Sequence, residues 1–297
     1  MWTKENLTDL TGKTALVTGA NTGLGFETAL GLYEAGACVI LACRTIEKAD
    51  ETKFRIQSLP GKGSVESTVL ELSNLKYVKQ FAEIFLAQHN ELHLLINNAG
   101  VATPPQSSTA EGYELQFGVN FLGHFVLTGA LYPLLKKTRD SRIVTLSSMG
   151  YERATIDFDN LRLEKGYDPL REYRQSKLAN LLFSLELQRR IIDKGDQVLS
   201  IAAQPGANNT DLLRHATADE ISAGKERIGD FMEPSQGALS TLYAATATEA
   251  RGGNMYEPDK GYRGYPVLAT LKENALDETL AKKLWEVSEI IAGIHYP

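Results

Sequence analysis

Cysteine is scarce: Cys38 and Cys43 are the two thiols in 297 residues. Their odd separation within one apolar run points them to opposite faces of a strand, so they should not pair with each other. A chain without a disulfide framework suits a reducing compartment, and a cytoplasmic location is expected. No CxxC occurs and the five histidines show no HExxH-type spacing, which leaves a protein-bound metal without support. Positive charge is also in deficit. A net charge of −6, with no block of like charges, offers no broad attraction to nucleic acid or an anionic membrane surface, and neither partner is expected. No stretch is read as reaching the roughly 20 apolar residues that a spanning helix requires. The polar opening, residues 1–6, is read as leaving no room for a signal peptide or anchor before the first strand-like run near Lys13. These absences describe a soluble globular chain, and its 43% apolar and 23% charged residues are ordinary for one.

What is present is alternation. Short apolar or β-branched runs at 14–17, 38–42, 65–72, 92–96, 142–146 and 198–203 are separated by segments of helical period at 24–35, 47–57, 75–88, within 112–135, and at 173–192. A helix at 235–248 and a last short strand at 254–256 follow. Such alternation implies right-handed βαβ units and a doubly wound parallel α/β sheet of about seven strands with helices on both faces. The runs are apolar nearly throughout, as strands covered on both faces must be. No Pro-, Gly- or Ser-rich linker interrupts the pattern, so a single domain over 1–297 is expected. The irregular interval 206–234 reads as a lid over a substrate, and 258–297 as a C-terminal extension for substrate contact or packing.

Between the first strand and first helix lies Gly19-Ala20-Asn21-Thr22-Gly23-Leu24-Gly25. Glycines here let the backbone turn sharply and approach a pyrophosphate, which the free N–H groups and positive end of the helix then hold. The spacing is GxxxGxG. At the end of the second strand, where a dinucleotide fold places an acid for the adenosine ribose, stands Arg44, whose planar fork matches a 2′-phosphate. NADP(H) is therefore the expected cofactor, with NAD(H) as the alternative.

Three further segments follow in order: Asn97-Asn98-Ala99-Gly100 after the fourth strand, Ser147-Ser148 ending the fifth, and Tyr173 with Lys177 opening the fifth helix. The last two are four residues apart and share a helix face. Each segment lies at the carboxyl side of a strand or on the helix beyond it, the edge where open α/β sheets bind ligands.

In this order the motifs resemble the short-chain dehydrogenase/reductase family, a Rossmann-type fold, from about Leu10 to Tyr256. The stretches 19–23, 41–44 and 176–180, with the tail Gly261-Tyr262-Arg263-Gly264-Tyr265-Pro266, are most similar to its retinol dehydrogenase-like branch. The resemblance implies hydride transfer between the nicotinamide and a small carbonyl or alcohol. It implies a catalytic set of Asn120, Ser148 (or Ser147), Tyr173 and Lys177. Tyr173 would be the acid/base, its phenol lowered by the Lys177 cation, and Asn120 would support a water-linked proton path to the lysine. Cofactor contacts would come from Gly19, Asn21, Thr22, Gly23, Leu24, Gly25, Arg44, Glu71, Leu72, Asn98, Ala99 and Gly100, with Tyr173, Lys177, Pro205, Gly206 and Thr210. Glu71 stands where an aspartate often faces the adenine, and Asn208-Asn209 where an aliphatic residue is commoner. The substrate pocket is expected from residues 149–151, the insert before Tyr173 including Tyr151 and Tyr167, the lid, and the tail near Trp285. A homodimer or homotetramer is expected through the two long helices. Two other readings are a cofactor-binding regulatory protein and a sugar-nucleotide epimerase or dehydratase; the latter resembles TGxxGxxG at the first turn.

Overall fold

The structure is a computed structural model that describes residues 1–215 and 217–297; Ala216, inside the expected lid, lies outside the described residues. The chain runs β1 (Thr14–Thr18), α1 (Gly23–Glu34), β2 (Cys38–Cys43), α2 (Ile46–Gln57), β3 (Ser64–Val69), α3 (Leu75–Gln88) and β4 (Leu94–Asn97). A π-helical segment (Phe117–Leu122) leads into α4 (Gly123–Lys137), followed by β5 (Arg142–Leu146), α5 (Pro169–Lys194) and β6 (Leu199–Ala203). The remainder is α6 (Ala218–Ile228), α7 (Pro234–Thr246), β7 (Met255–Pro258), β8 (Pro266–Leu268), the single turn α8 (Glu273–Leu276) and α9 (Glu278–Ala292).

The strands form one sheet in the order β3-β2-β1-β4-β5-β6-β7-β8, parallel except for the β7–β8 pair. The eighth strand exceeds the seven expected. Its three residues carry too short a pattern to be read from the sequence, and pairing with β7 is what makes them a strand. Chain order reverses between β1 and β4, and a crevice must open there at the carboxyl ends of the strands. Side-chain alternation divides the core: Leu16 and Ile40 face the layer of α3, α4 and α5, whereas Ala15, Val17, Val39 and Leu41 face that of α1 and α7.

Helix α5 starts at Pro169, a turn earlier than expected. Proline at the first helical position needs no N–H partner, and Asp168 caps the end by accepting from the Arg171 N–H at 2.8 Å. Tyr173 thus sits inside the helix rather than at its opening.

Two expectations change. The span Phe117–Lys137 is long and apolar enough to cross a membrane by composition, contrary to the sequence reading, but 83% of that window is buried inside the fold. The stretch is apolar all round because it is packed all round. Trp285 lines no substrate pocket. It is buried on α9, with its ring 5.0 Å from Phe125, 5.8 Å from Phe183 and 4.9 Å from Tyr296, and with Arg190 over it at 4.5 Å. Through these contacts α9 and the tail pack against α4 and α5.

Trp285→Ala should destabilise the fold by about 3–5 kcal/mol through cavity formation and lost aromatic contact. A lowered urea midpoint measures it; an unchanged midpoint would mean that α9 is not part of the cooperative core.

Candidate active site

The crevice at the β1/β4 reversal is a cleft of about 640 Å³. Every residue expected to contact the cofactor lines it, from Gly19 and the rest of the glycine loop through Arg44, Glu71, Leu72 and Asn98–Gly100 to Pro205, Gly206 and Thr210, together with Ser148, Tyr173 and Lys177. Asn120 is fully buried behind the wall.

The loop's fit to a dinucleotide can be tested on its own geometry. Gly19 takes a left-handed φ of +64°. A Cβ on Gly25 would overlap the Gly19 carbonyl oxygen and crowd Asn98 Nδ2 at 2.5 Å. The turn is therefore drawn tight against the Asn98 segment, exposing the start of α1 to the cleft, as anion binding at a helix N-terminus requires. Thr18, the last residue of β1, ties the two together. Its hydroxyl accepts from the Asn98 and Ala99 N–H groups at 3.0 and 2.9 Å, and Asn98 Nδ2 donates to the Thr18 carbonyl at 2.7 Å. The Pro205-Gly206 turn is braced by the tail: Gln204 Nε2 donates to the Gly261 carbonyl at 2.7 Å, and the Ala207 N–H to that of Tyr262 at 2.9 Å. Asn208, unusual by sequence, closes that turn with its amide on the Pro205 and Gly206 carbonyls at 2.8 and 3.1 Å. Glu71 turns one carboxylate oxygen to its own loop, accepting from the Ser73 N–H at 2.9 Å.

The two serines separate. Ser147 is buried and donates to the Lys177 carbonyl at 2.8 Å, a bond that staples β5 to α5. Ser148 faces the cleft and hydrogen-bonds Tyr173; a Cβ added to Gly150 would lie 3.7 Å from Ser148 Oγ and 3.8 Å from Tyr173 Cε1. Lys177 Nζ donates to the Leu146 carbonyl at 3.3 Å and lies 5.8 Å from the Tyr173 ring centre. Asn120 is held by its side chain, which accepts from the Val101 N–H at 2.8 Å and donates to the Val101 carbonyl and to Ser176 Oγ at 3.0 and 2.9 Å. Ser176 Oγ in turn donates to the Tyr173 carbonyl at 2.7 Å.

Burial sets the acidities. It pushes Lys177 down to about 8, because an ammonium loses hydration inside the wall. Burial also pushes the Tyr173 phenol up, opposed by its hydrogen bond with Ser148. The expected lowering by the lysine is not what opposes the loss of water around the phenolate; the Ser148 hydroxyl does.

Sequence reasoning missed Lys48, which lines the cleft beside Arg44; both are exposed at its mouth. The signal was available, since Lys48 lies four residues after Arg44 in the first turn of a helix capped by Thr45. Arg174, which also lines the cleft, was missed as well. Two aromatic residues expected in the pocket are elsewhere. Tyr151 is buried, its hydroxyl accepting from the Lys272 N–H at 3.3 Å, and Tyr167 donates to the Pro104 carbonyl at 2.5 Å. Aromatic rings with a polar tip pack well against such backbone groups.

A doubly wound sheet with a glycine-loop crevice defines a nucleotide-dependent enzyme of the α/β class. The comparisons narrow this. The short chain dehydrogenase family profile matches residues 13–221. Retinol dehydrogenase 11 of Homo sapiens is 40% identical over 289 residues, covering 96% of this chain and 87% of that one. Polyprenol dehydrogenase of Mus musculus is 38% identical, covering 92% and 82%. A solved structure of an uncharacterized protein from Mycobacterium paratuberculosis is 34% identical with a TM-score of 0.84, covering 100% of this chain and 99% of that one. The chain belongs to the short-chain dehydrogenase/reductase family, in its retinol dehydrogenase-like branch. It is an NAD(P)(H)-using oxidoreductase acting on an alcohol or carbonyl.

Gly25→Ala should abolish coenzyme binding, since the added methyl displaces the loop from Asn98. Titration of NADPH fluorescence checks it, and near-normal affinity would show that the loop relaxes freely.

Proposed function

We propose that the chain is an NADP(H)-dependent oxidoreductase of apolar carbonyl compounds or alcohols, with Tyr173 as general acid/base. The observation that carries this reading is the meeting of Ser148 and Tyr173 around Gly150, with Lys177 one helical turn on, in the cleft that the glycine loop opens. Bound NADP(H) supplies or accepts the hydride.

In the reductive direction Ser148 Oγ donates a hydrogen bond to the substrate oxygen and holds it against Tyr173. The raised phenol keeps its proton at neutral pH until negative charge develops on that oxygen, then delivers it. Lys177, with an acidity near neutral, stands close enough to stabilise the phenolate left behind and to take part in its reprotonation. In the oxidative direction the same pair removes the hydroxyl proton. Asn120 anchors the Tyr173–Lys177 stretch through Ser176.

Coenzyme choice falls to Arg44 and Lys48, two exposed cations at the mouth that suit a 2′-phosphate. Substrate choice falls to Leu115, Val119, Met149 and Leu170, with Ile228 and Phe231 supplied by the interval 206–234 acting as a lid. This apolar lining agrees with two relatives named for retinol and polyprenol, both apolar alcohols.

With NADPH and a panel of apolar and polar aldehydes, apolar members should be turned over best. On the best of them Tyr173→Phe should lower kcat by about 10²–10⁴-fold while NADPH affinity is retained. Wild-type activity confined to polar carbonyls would reject the substrate class, and full activity of the variant would remove the tyrosine from the mechanism.

Arg44→Ala should lower the NADPH-over-NADH ratio of kcat/KM by about 10–100-fold, the worth of a hydrogen bond to a charged group. Steady-state kinetics with both coenzymes measures this; an unchanged ratio would dismiss Arg44 as the discriminator.

A further inference from the structure

One buried titratable group takes no part in the chemistry above. His124, in the first turn of α4, is 1% exposed and stands between Thr18 and Asn120. Its Nε2 lies 2.8 Å from Thr18 Oγ, and its Nδ1 lies 2.9 Å from the Asn120 backbone carbonyl. We propose that His124 is a positioning residue, a neutral ring with its proton on Nδ1 that links the cofactor loop at Thr18 to Asn120.

The proton inventory settles which nitrogen carries what. A carbonyl oxygen can only accept, so Nδ1 must donate to Asn120. A charged ring would also donate from Nε2 to Thr18 Oγ. That oxygen already accepts from the Asn98 and Ala99 N–H groups, which fills its two lone pairs. Its own proton then has two acceptors within reach, the Ile96 carbonyl at 3.3 Å and His124 Nε2 at 2.8 Å, and the shorter contact is to the ring. The consistent arrangement is Thr18 Oγ–H to Nε2 and Nδ1–H to Asn120. Burial agrees with it, penalising the charged imidazole, as does the nearby Lys177 cation.

The link reaches the catalytic helix. The Asn120 side chain bonds Ser176, and Ser176 bonds the Tyr173 backbone. Asn120 also lies in the π-helical segment, where the Gly123 N–H reaches back to the Gly118 carbonyl. That wider turn leaves the Asn120 segment dependent on side-chain partners for its register. Thr18 retains its bonds to Asn98 and Ala99 without the histidine, so loss of the link falls on Asn120 more than on the coenzyme loop.

Two measurements test the proposal, which rests on the catalytic reading above only for its kinetic arm. Long-range proton–nitrogen spectra of protein labelled with ¹⁵N-histidine, with His124→Asn identifying the signal, should show a neutral ring protonated at Nδ1 at pH 7. A ring protonated at Nε2, or at both nitrogens, overturns the proposal whether or not the variants fold and whatever the role of Tyr173. In kinetics, His124→Leu should lower kcat by about tenfold, the worth of one such hydrogen bond, with the NADPH Kd within about twofold of wild type. His124→Asn, whose amide can still donate to the Asn120 carbonyl, should recover most of that loss. Unchanged kcat in the leucine variant, or equal loss in both variants with a lowered melting temperature, assigns the ring to packing and overturns the link.

Discussion

The end of β1 is where this molecule is held in working order. A single hydroxyl, that of Thr18, accepts two backbone N–H groups from the segment after β4 and meets the His124 ring on α4. Those bonds lie at the reversal of strand order, so they close the floor of the crevice that the sheet topology opens. The glycine loop above can be tight only because the Asn98 segment beneath it is fixed. Buried polar groups of this kind are costly unless fully partnered, and full partnership gives the site one geometry.

Burial then does the chemical tuning. Tyr173 and Lys177 share a helix face, but the low-dielectric wall moves their acidities apart, the phenol up and the ammonium down. Here desolvation is the larger influence on both, and the hydrogen bond from Ser148 is what restrains the phenol.

The C-terminal region works from outside the sheet. Its loop at Gly261–Tyr262 braces the Pro205-Gly206 turn, and Trp285 of α9 and Tyr296 of the tail beyond it pack against the two long helices. The same segment therefore sets the wall of the cofactor cleft and covers an apolar face. Residues that looked like substrate contacts by their aromaticity, Tyr151 and Trp285, are used instead for that packing.

From the sequence alone the parallel α/β architecture, the glycine loop and most of the cofactor side of the cleft could be named, because short apolar runs, the 3.6-residue helical period and glycine spacing are local features written in consecutive residues. What the residues could not declare were relations across long separations. The short β8 exists by pairing with β7. Ser147 and Ser148 are chemically identical, and only the packing of β5 against α5 turns one to a backbone carbonyl and the other to the cleft. His124 reads as one more residue of an apolar helix until Thr18, 106 positions away, is brought to its ring. The tertiary structure decided these matters, since burial and hydrogen-bond partnership depend on which distant groups share a place, and no local pattern records that.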